Sequence, residues 1–272
     1  MTEPPRTVFA AIDHAPAPMQ ALLLGALARM AESPQIRAVR AVAGDALAPR
    51  PGLRLLDAGC GLGEAARELA PRVAPGGEVV AADASSVTVA AAAERHDGSA
   101  VRYQVADVLA LPFDDGAFDG VRCERVLQHL AEPDAAIREL ARVTRPGGRV
   151  VLVDTDWESV AVDGLPEDLV AAVRDKLASR DLLHHQSMGR TLRRRALRAG
   201  LADVTCVPVP LVFTRDAAPS LVLPMFSRDV PPEADMVPSD LRERWFDAVD
   251  DAAARDELLV VLTMWVVAGT PA

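Results

Sequence analysis

The regular alternation of short apolar runs with helix-like segments between Leu53 and Asp154 constrains the fold of this chain most strongly. Helical spacing marks the intervening segments, and the last of them places Ile137, Leu140 and Ala141 on one face. Because parallel strands joined by helices need right-handed crossovers, the pattern predicts an α/β fold with a doubly wound sheet covered on both faces. The five predicted strands are LRLLDAG, GEVVAAD, VRYQVAD, FDGVRCE and GRVVLVD.

The N-terminal segment predicts a helical arm. Residues 18–43 show helical spacing with a break at Ser33-Pro34, and the prolines of residues 48–52 indicate a linker. We therefore expect the arm within residues 1–50 and the main domain within residues 51–272. The arm either only packs against the main domain or folds over a ligand.

The C-terminal part of the chain predicts a change of strand direction. The run DVTCVPVPLVF contains Pro208 and Pro210, which suit an edge strand because proline cannot donate to the ladder. A helix over about residues 239–254 and the strand ELLVVLTMWVVAG follow, so we expect the sheet to end with an antiparallel strand. A lid insertion is expected over about residues 157–200 and 216–240.

Composition excludes several classes of function. The 272 residues are half apolar and 25% charged, with a net charge of -10, which is typical of a soluble globular protein and disfavours nucleic acid as a partner. The longest apolar run, Leu258 to Gly269, is shorter than the roughly 20 residues that a membrane-spanning helix needs. The N-terminus lacks the pattern of a signal peptide, so we expect a cytoplasmic protein. Three separated cysteines predict neither a disulfide framework nor a metal site, and a homo-oligomer is compatible with the sequence.

Each of the five predicted strands ends in an acid. Because parallel strands share one carboxyl edge, where open α/β sheets bind ligands, these acids should surround one crevice. Like charges there repel one another, which favours a ligand with positive charge. Helix capping explains any single acid equally well, but it explains the whole set less readily. The five acids are Asp57, Asp83, Asp107, Glu124 and Asp154.

The glycine loop after the first strand disfavours a phosphorylated ligand. Gly59, Gly61 and Gly63 follow LRLLDA directly, but Glu64 occupies the position of the third glycine in a dinucleotide fingerprint. A carboxylate there would meet the phosphates that such a loop usually binds. The sequence therefore predicts a cationic or polyhydroxylated ligand.

Four motifs in order resemble those of a known family over about 100 residues. They are LDAGCGLG with the following Gly63, Asp83 after GEVVAA, ADVLALPFDDGAFDGV, and VLQHLAEPDAAIRELARVTRPGGRVVLVD. Together they resemble class I S-adenosylmethionine-dependent methyltransferases, and most closely the ubiquinone/menaquinone type and the small-molecule methyltransferases of bacterial secondary metabolism. The resemblance implies a Rossmann-like seven-stranded sheet, mostly parallel with an antiparallel last strand. It also implies S-adenosyl-L-methionine as the cofactor.

The resemblance also implies roles for particular residues. The carboxylate of Asp57 would meet the amino acid end of the cofactor, Asp83 would accept from both ribose hydroxyls, and Asp107 would accept from the adenine amino group. Cys123 and Glu124 would line the methionine end. The remaining expected cofactor-binding residues are Gly59, Cys60, Gly61, Gly63, Ala84 and Val108. The chain departs from the family pattern at Arg125 and has one tyrosine, Tyr103.

The acceptor is expected to be a small apolar metabolite that is methylated on O, N or C. Such an enzyme accelerates methyl transfer mainly because it aligns the acceptor with the methyl group and excludes water. Some acceptors also need a general base. Candidates for the base are His129, His184, His185, Asp154 and Asp156. Packing explains the histidines too, and the two aspartates could instead anchor the substrate or cap a helix. Trp157 and the apolar residues Leu221, Leu223, Met225 and Phe226 either line the acceptor site or belong to the core.

Three other functions remain open from the sequence. The first is a cyclase in which methylation triggers ring closure. The second is a protein that binds S-adenosylmethionine without transferring the methyl group. The third is a nucleotide-sugar or nicotinamide enzyme.

Overall fold

The computed structural model describes residues 12–95, 97–179, 184–215, 219–230 and 235–272, so parts of the predicted lid lie outside it. Within these residues the helices and strands follow the predicted alternation. The helices are α1 Ala17–Glu32, α2 Pro34–Leu47, α3 Glu64–Val73, α4 Ser86–Glu94, α5 Pro133–Val143, α6 Glu167–Ser179, α7 Met188–Arg198 and α8 Arg242–Ala254. The strands are β1 Arg54–Ala58, β2 Glu78–Asp83, β3 Val101–Val105, β4 Phe118–Glu124, β5 Thr144–Asp163, β6 Ala202–Phe213 and β7 Leu259–Thr270.

Seven strands form one sheet in the order β3-β2-β1-β4-β5-β7-β6. Strands β1 to β5 pair in parallel, whereas β7 lies antiparallel between β5 and β6. The predicted α/β fold with an antiparallel last strand is therefore confirmed. Strand β6, which contains Pro208 and Pro210, occupies the predicted edge position, where a missing amide donor costs no ladder bond.

Strand β5 is longer than the sequence predicts. The predicted end at Asp154 is wrong, because β5 runs for 20 residues to Asp163. Asp154 pairs with Trp265 and Asp156 with Thr263 of β7. The antiparallel partner supplies hydrogen bonds beyond the carboxyl edge of the parallel strands, so β5 continues past its parallel neighbour.

The sheet separates two apolar clusters. On one face, α2, α3, α6 and α8 pack against it, and Ile36, Val39 and Ala43 of α2 are fully buried there. On the other face α5 and α7 cover the sheet, with Met188 and Leu192 of α7 fully buried. Helix α7 lies within residues 157–200, which were expected to form part of a lid. In the structure this helix packs on the sheet.

The break at Ser33-Pro34 separates two helices, as the sequence predicts. In α1 only Leu23 and Ala31 are buried, whereas α2 contributes five buried residues to the protein core. The two halves of the predicted arm therefore differ in how much of their surface they bury. None of the helices within the described residues is long and apolar enough to span a bilayer.

Candidate active site

A cavity of about 900 Å³ opens at the carboxyl edge of β1, β2 and β4 and extends beneath α1. Its position agrees with the place where open α/β sheets bind ligands. Most of the predicted site residues line it. They are Asp57, Gly59, Cys60, Gly61, Asp83, Ala84, Asp107, Val108, Glu124 and His129.

Several predicted residues do not line this cavity. Gly63 packs against Tyr103. Cys123 lies on the opposite face of the sheet, among the residues that pack against α5, because side chains alternate along β4. Asp156 bonds Nε of Arg190 at 2.5 Å. His184 and His185 lie before α7, outside the cavity wall.

The amides of the glycine loop are already engaged within the protein. Those of Gly59 and Cys60 donate to the carbonyl oxygen of Ala82 at 2.7 and 2.9 Å, and that of Gly61 donates to Oδ2 of Asp83 at 3.0 Å. A phosphate at this loop would therefore find few amides to bind. The loop geometry supports the prediction that the ligand is not phosphorylated there.

Asp83 and Asp107 keep acceptor capacity toward the cavity. Asp83 accepts from the amides of Gly61 and Ser85, each at 3.0 Å, and burial raises its pKa above the ordinary value although these bonds lower it. Asp107 accepts from the amide of Leu109 at 2.9 Å. Each carboxylate oxygen has a second lone pair, so both side chains can accept further hydrogen bonds from a ligand.

Arginines that were not predicted as site residues neutralise two of the strand-end acids, Asp57 and Glu124. Nη1 of Arg122 lies 3.2 Å from Oδ1 of Asp57, and its Nη2 bonds Oε2 of Glu124. Oε1 of Glu124 lies 3.2 Å from Nε of Arg125 and 3.7 Å from Nε of Arg40. We call these five residues the arginine cluster. Glu124 still raises the pKa of Asp57, as mutual repulsion requires, but the arginines of the cluster offset the charges of both acids without a ligand.

The pKa directions within the arginine cluster follow from burial and charge. Burial raises the pKa of Asp57 more than Arg122 lowers it. Burial also raises the pKa of Glu124, but Arg122, Arg125 and Arg40 together hold it below the ordinary value. Glu124 is therefore a carboxylate anion fixed by three guanidinium groups.

Several buried polar atoms of the cluster have no hydrogen-bond partner among the described residues. They are Oδ2 of Asp57 and Nε and Nη1 of Arg40. Buried polar groups in proteins are nearly always hydrogen-bonded to protein, water or a ligand, so these atoms have capacity for a ligand in the cavity. A ligand with an ammonium group and a carboxylate would satisfy both side chains.

The candidate bases differ in their surroundings. Burial, together with the positive charge of Arg125, lowers the pKa of His129 to about 4. Trp157 Nε1 donates to Gln128 Oε1 at 2.8 Å, and Gln128 Nε2 lies 3.4 Å from Nε2 of His129. Asp154 faces away from the cavity, where its carboxylate accepts from the amides of Gln128 and Thr155.

Apolar side chains form the outer walls of the cavity. One wall is a face of α1, which supplies Met19, Leu22, Leu23, Ala26, Leu27 and Met30. The other wall includes Trp157, Leu221, Val222, Met236, Leu262 and Met264. Leu223, Met225 and Phe226 are buried in the core instead.

Asp13 fastens the N-terminal arm to the rim of the cavity. Its carboxylate accepts from the amide and hydroxyl of Ser86 at 2.9 and 3.0 Å and from the hydroxyl of Ser85. Burial raises the pKa of Asp13, but these hydrogen bonds hold it below the ordinary value. The negative charge also lies at the N-terminus of α4, where the helix dipole favours it.

Comparison with known proteins identifies the family. A profile described as a methyltransferase domain matches residues 56–152. Methyltransferase GfsG of Streptomyces halstedii is 30% identical over 207 residues, which are 73% of this chain and 70% of that protein. The chain belongs to the S-adenosylmethionine-dependent methyltransferases. The demethylmenaquinone methyltransferase of Thermus thermophilus is 44% identical over 103 residues, 37% of this methyltransferase and 46% of that enzyme.

The fold of this methyltransferase also matches a solved structure. The YcgJ protein of Bacillus subtilis superposes with a TM-score of 0.59 and 22% identity, over 86% of this chain and 98% of that one. The predicted resemblance to the ubiquinone/menaquinone and secondary-metabolite methyltransferases is confirmed, and the cofactor is S-adenosylmethionine.

Proposed function

We propose that this methyltransferase transfers a methyl group from S-adenosylmethionine to a small, largely apolar acceptor that occupies the cavity beneath α1. The observation that carries the proposal is the arginine cluster, with unsatisfied atoms on Asp57 and Arg40, in a cavity whose outer walls are largely apolar. The cluster suits a zwitterionic amino acid, and the apolar walls suit a hydrophobic acceptor.

The residues present fit the cofactor. Oδ2 of Asp57 would accept from the ammonium group, Nε and Nη1 of Arg40 would donate to the carboxylate, and Asp83 would accept from the ribose hydroxyls. Asp107 and the amide of Val108 would meet the adenine ring. When bound, S-adenosylmethionine supplies a methyl group on positively charged sulfur, and its loss leaves a neutral thioether.

The protein itself would align the acceptor and exclude water. Met30, Trp157 and the other apolar lining residues would pack along the hydrophobic part of an acceptor. Burial in such a site removes water from the reacting atoms, which strengthens every electrostatic contact there. The name of the Thermus relative refers to an apolar quinone precursor, which is in keeping with a hydrophobic acceptor.

Calorimetry with S-adenosylhomocysteine tests the cofactor site. We expect Asp83→Asn and Arg40→Gln each to weaken binding about tenfold or more, because each removes a charge-assisted hydrogen bond. Arg244→Gln is the matched control, since Arg244 forms an exposed pair with Asp168 away from the cavity. Unchanged affinity in both site variants would refute this assignment of residues.

Turnover with labelled S-adenosylmethionine tests the reaction. A panel of alkylphenols, alkylamines and prenylated aromatics covers oxygen, nitrogen and carbon acceptors. Labelled product supports the proposal and defines the atom that is methylated. Tight cofactor binding without product across the panel would favour a binding protein, and stabilisation by a nicotinamide cofactor in place of S-adenosylmethionine would favour the nicotinamide alternative.

A further inference from the structure

The arginine cluster has more guanidinium groups than carboxylates. Three guanidinium groups share two carboxylates within 3.7 Å. A further carboxylate, that of Glu68, lies 4.0 Å from Arg40, but its side chain is 53% exposed and therefore screened by water. A zwitterionic amino acid end of the cofactor would leave this balance unchanged.

Arg125 is the member of the cluster that reaches the apolar wall. Its side chain pairs with Glu124 through Nε, while Nη1 contacts the sulfur of Met30 on α1. The backbone of Arg125 has a φ of +56°, and its carbonyl oxygen accepts from Gln128 Nε2 at 3.5 Å. Arg125 thus stands between the cluster and the space that an acceptor would fill.

Burial lowers the pKa of Arg125, and the neighbouring Arg40 and Arg122 act in the same direction, while Glu124 and, more weakly, Asp154 oppose them. A guanidinium group nevertheless remains protonated in proteins. Arg125 is therefore a fixed positive charge in a partly desolvated position, where an additional anion would be stabilised.

Among the described residues, neither the candidate bases predicted from the sequence nor Glu124 is a strong general base beside Arg125. The pKa of His129 is lowered to about 4 by burial and by Arg125, so its neutral ring holds a proton weakly. Glu124 is engaged by all three arginines of the cluster. Four candidates lie outside the cavity wall, namely Asp154, Asp156, His184 and His185. A neutral hydroxyl or an ammonium acceptor beside Arg125 would have to lose its proton without help from these groups.

We propose that the acceptor is an apolar molecule that enters as an oxygen anion, a carboxylate or an ionised phenol or enol, and that Arg125 recognises this anion. The inference rests on the proposed methyl transfer and names the substrate class of that site. An anion brings its own lone pair to the new oxygen–carbon bond, so no proton moves. Its negative charge cancels the positive charge of the sulfur, and both products are neutral.

Three probes with one alkyl chain test the charge preference. Dodecanoate and dodecylammonium below their micellar concentrations, and dodecanol below its solubility limit, are titrated into protein saturated with S-adenosylhomocysteine, and binding is followed by calorimetry. We expect dodecanoate to bind at least tenfold more tightly than the other two. Arg125→Gln should abolish this difference, Arg125→Lys should keep part of it, and Arg244→Gln should keep all of it.

The outcomes separate this inference from the proposed function. A preference for dodecylammonium, equal affinities, or an unchanged dodecanoate preference in Arg125→Gln would overturn the inference. Loss of S-adenosylhomocysteine affinity in Arg125→Gln with dodecanoate affinity intact would also overturn it, because Arg125 would then serve the cofactor. Failure of the wild-type protein to bind S-adenosylhomocysteine would instead reject the proposed function. Melting temperatures of all variants establish that each is folded.

Discussion

Burial of Asp154 links the stability of the protein to pH. The carboxyl group is fully buried on the α5 and α7 side of the sheet, and burial raises its pKa from 3.8 to about 7 despite two amide hydrogen bonds. The folded protein therefore binds this proton more tightly than the unfolded chain does. Asp154 makes the free energy of unfolding fall as pH rises from about 4 to about 7.

Asp154→Asn should flatten this part of the stability profile. Asparagine cannot ionise, so the decrease between pH 5 and pH 7 should become smaller than in the wild type. The variant loses one acceptor for the amides of Gln128 and Thr155, which costs about 1 to 3 kcal/mol at low pH. Urea unfolding at several pH values measures both effects. An unchanged slope in the variant would contradict the raised pKa.

Gly59 is required by a close contact as well as by its backbone conformation. Its φ is +75°, and an added Cβ would lie 2.1 Å from Cγ2 of Val126. Gly61 has a φ of +53° with no atom within 4 Å of an added Cβ. We expect Gly59→Ala to destabilise the protein by about 1 to 3 kcal/mol more than Gly61→Ala, because only the first adds a clash to the strain.

The double variant Gly59→Ala/Val126→Ala separates the clash from the strain. Val126→Ala removes Cγ2, the atom that an added Cβ at position 59 would contact. Val126→Ala should therefore reduce the free energy of unfolding less in the Gly59→Ala background than in the wild type. Urea unfolding of the single and double variants gives this coupling. Additive effects would mean that Val126 does not limit the loop.

The sequence alone could have predicted one cavity residue that was missed, Arg122. Arg122 interrupts an apolar strand, and the alternation of side chains places it with Glu124 and away from Cys123. That same alternation excludes Cys123 from the cavity. The contact of Arg122 with Asp57 depends on the register of β1 and β4, which pairs these two residues and is set by non-local packing. It could not be read from either strand alone.

At the level of elements, the hydrogen bonds of Asp13 to Ser85 and Ser86 hold the N-terminal arm at the rim of the cavity. Asp13→Ala should increase deuterium uptake in α1 and weaken binding of apolar probes such as dodecanoate, with a change in global stability of about 1 kcal/mol or less. Hydrogen–deuterium exchange measures the first effect. Asp168→Ala, on the surface of α6, is the control. Unchanged uptake in α1 would show that its apolar contacts alone position the arm.

The sequence predicts the elements that depend on local pattern, and it fails for those that depend on pairing with a distant part of the chain. The parallel strands and the break at Ser33-Pro34 follow from periodicity and from proline, which act within a few residues. The extension of β5 beyond Asp154 contains the polar run DTDWES, which resembles a loop. It is a strand because β7 pairs with it from the other end of the chain.

On the scale of the whole molecule, the boundary between the arm and the main domain decides what can be removed without unfolding the protein. The sequence places this boundary near residue 50. In the structure α2 joins the main apolar cluster through Ile36, Val39, Ala43 and Leu47, each at most 2% exposed. Helix α1 buries only Leu23 and Ala31. The structure therefore favours a boundary at Ser33, between the two helices.

Two truncations test these alternatives. Removal of residues 1–33 should leave a cooperatively folded protein that retains Arg40 but loses the apolar wall formed by α1. The truncation should therefore lower the affinity for apolar probes more than the affinity for S-adenosylhomocysteine. Removal of residues 1–47 exposes the core beneath α2. At about 1.5 to 3 kcal/mol for each large apolar side chain, the loss is comparable with the whole stability of a typical domain. We expect this shorter chain to lack a cooperative melting transition in calorimetry. A cooperative transition there would support the boundary near residue 50 and would make α2, with Arg40, a separable part of the arm.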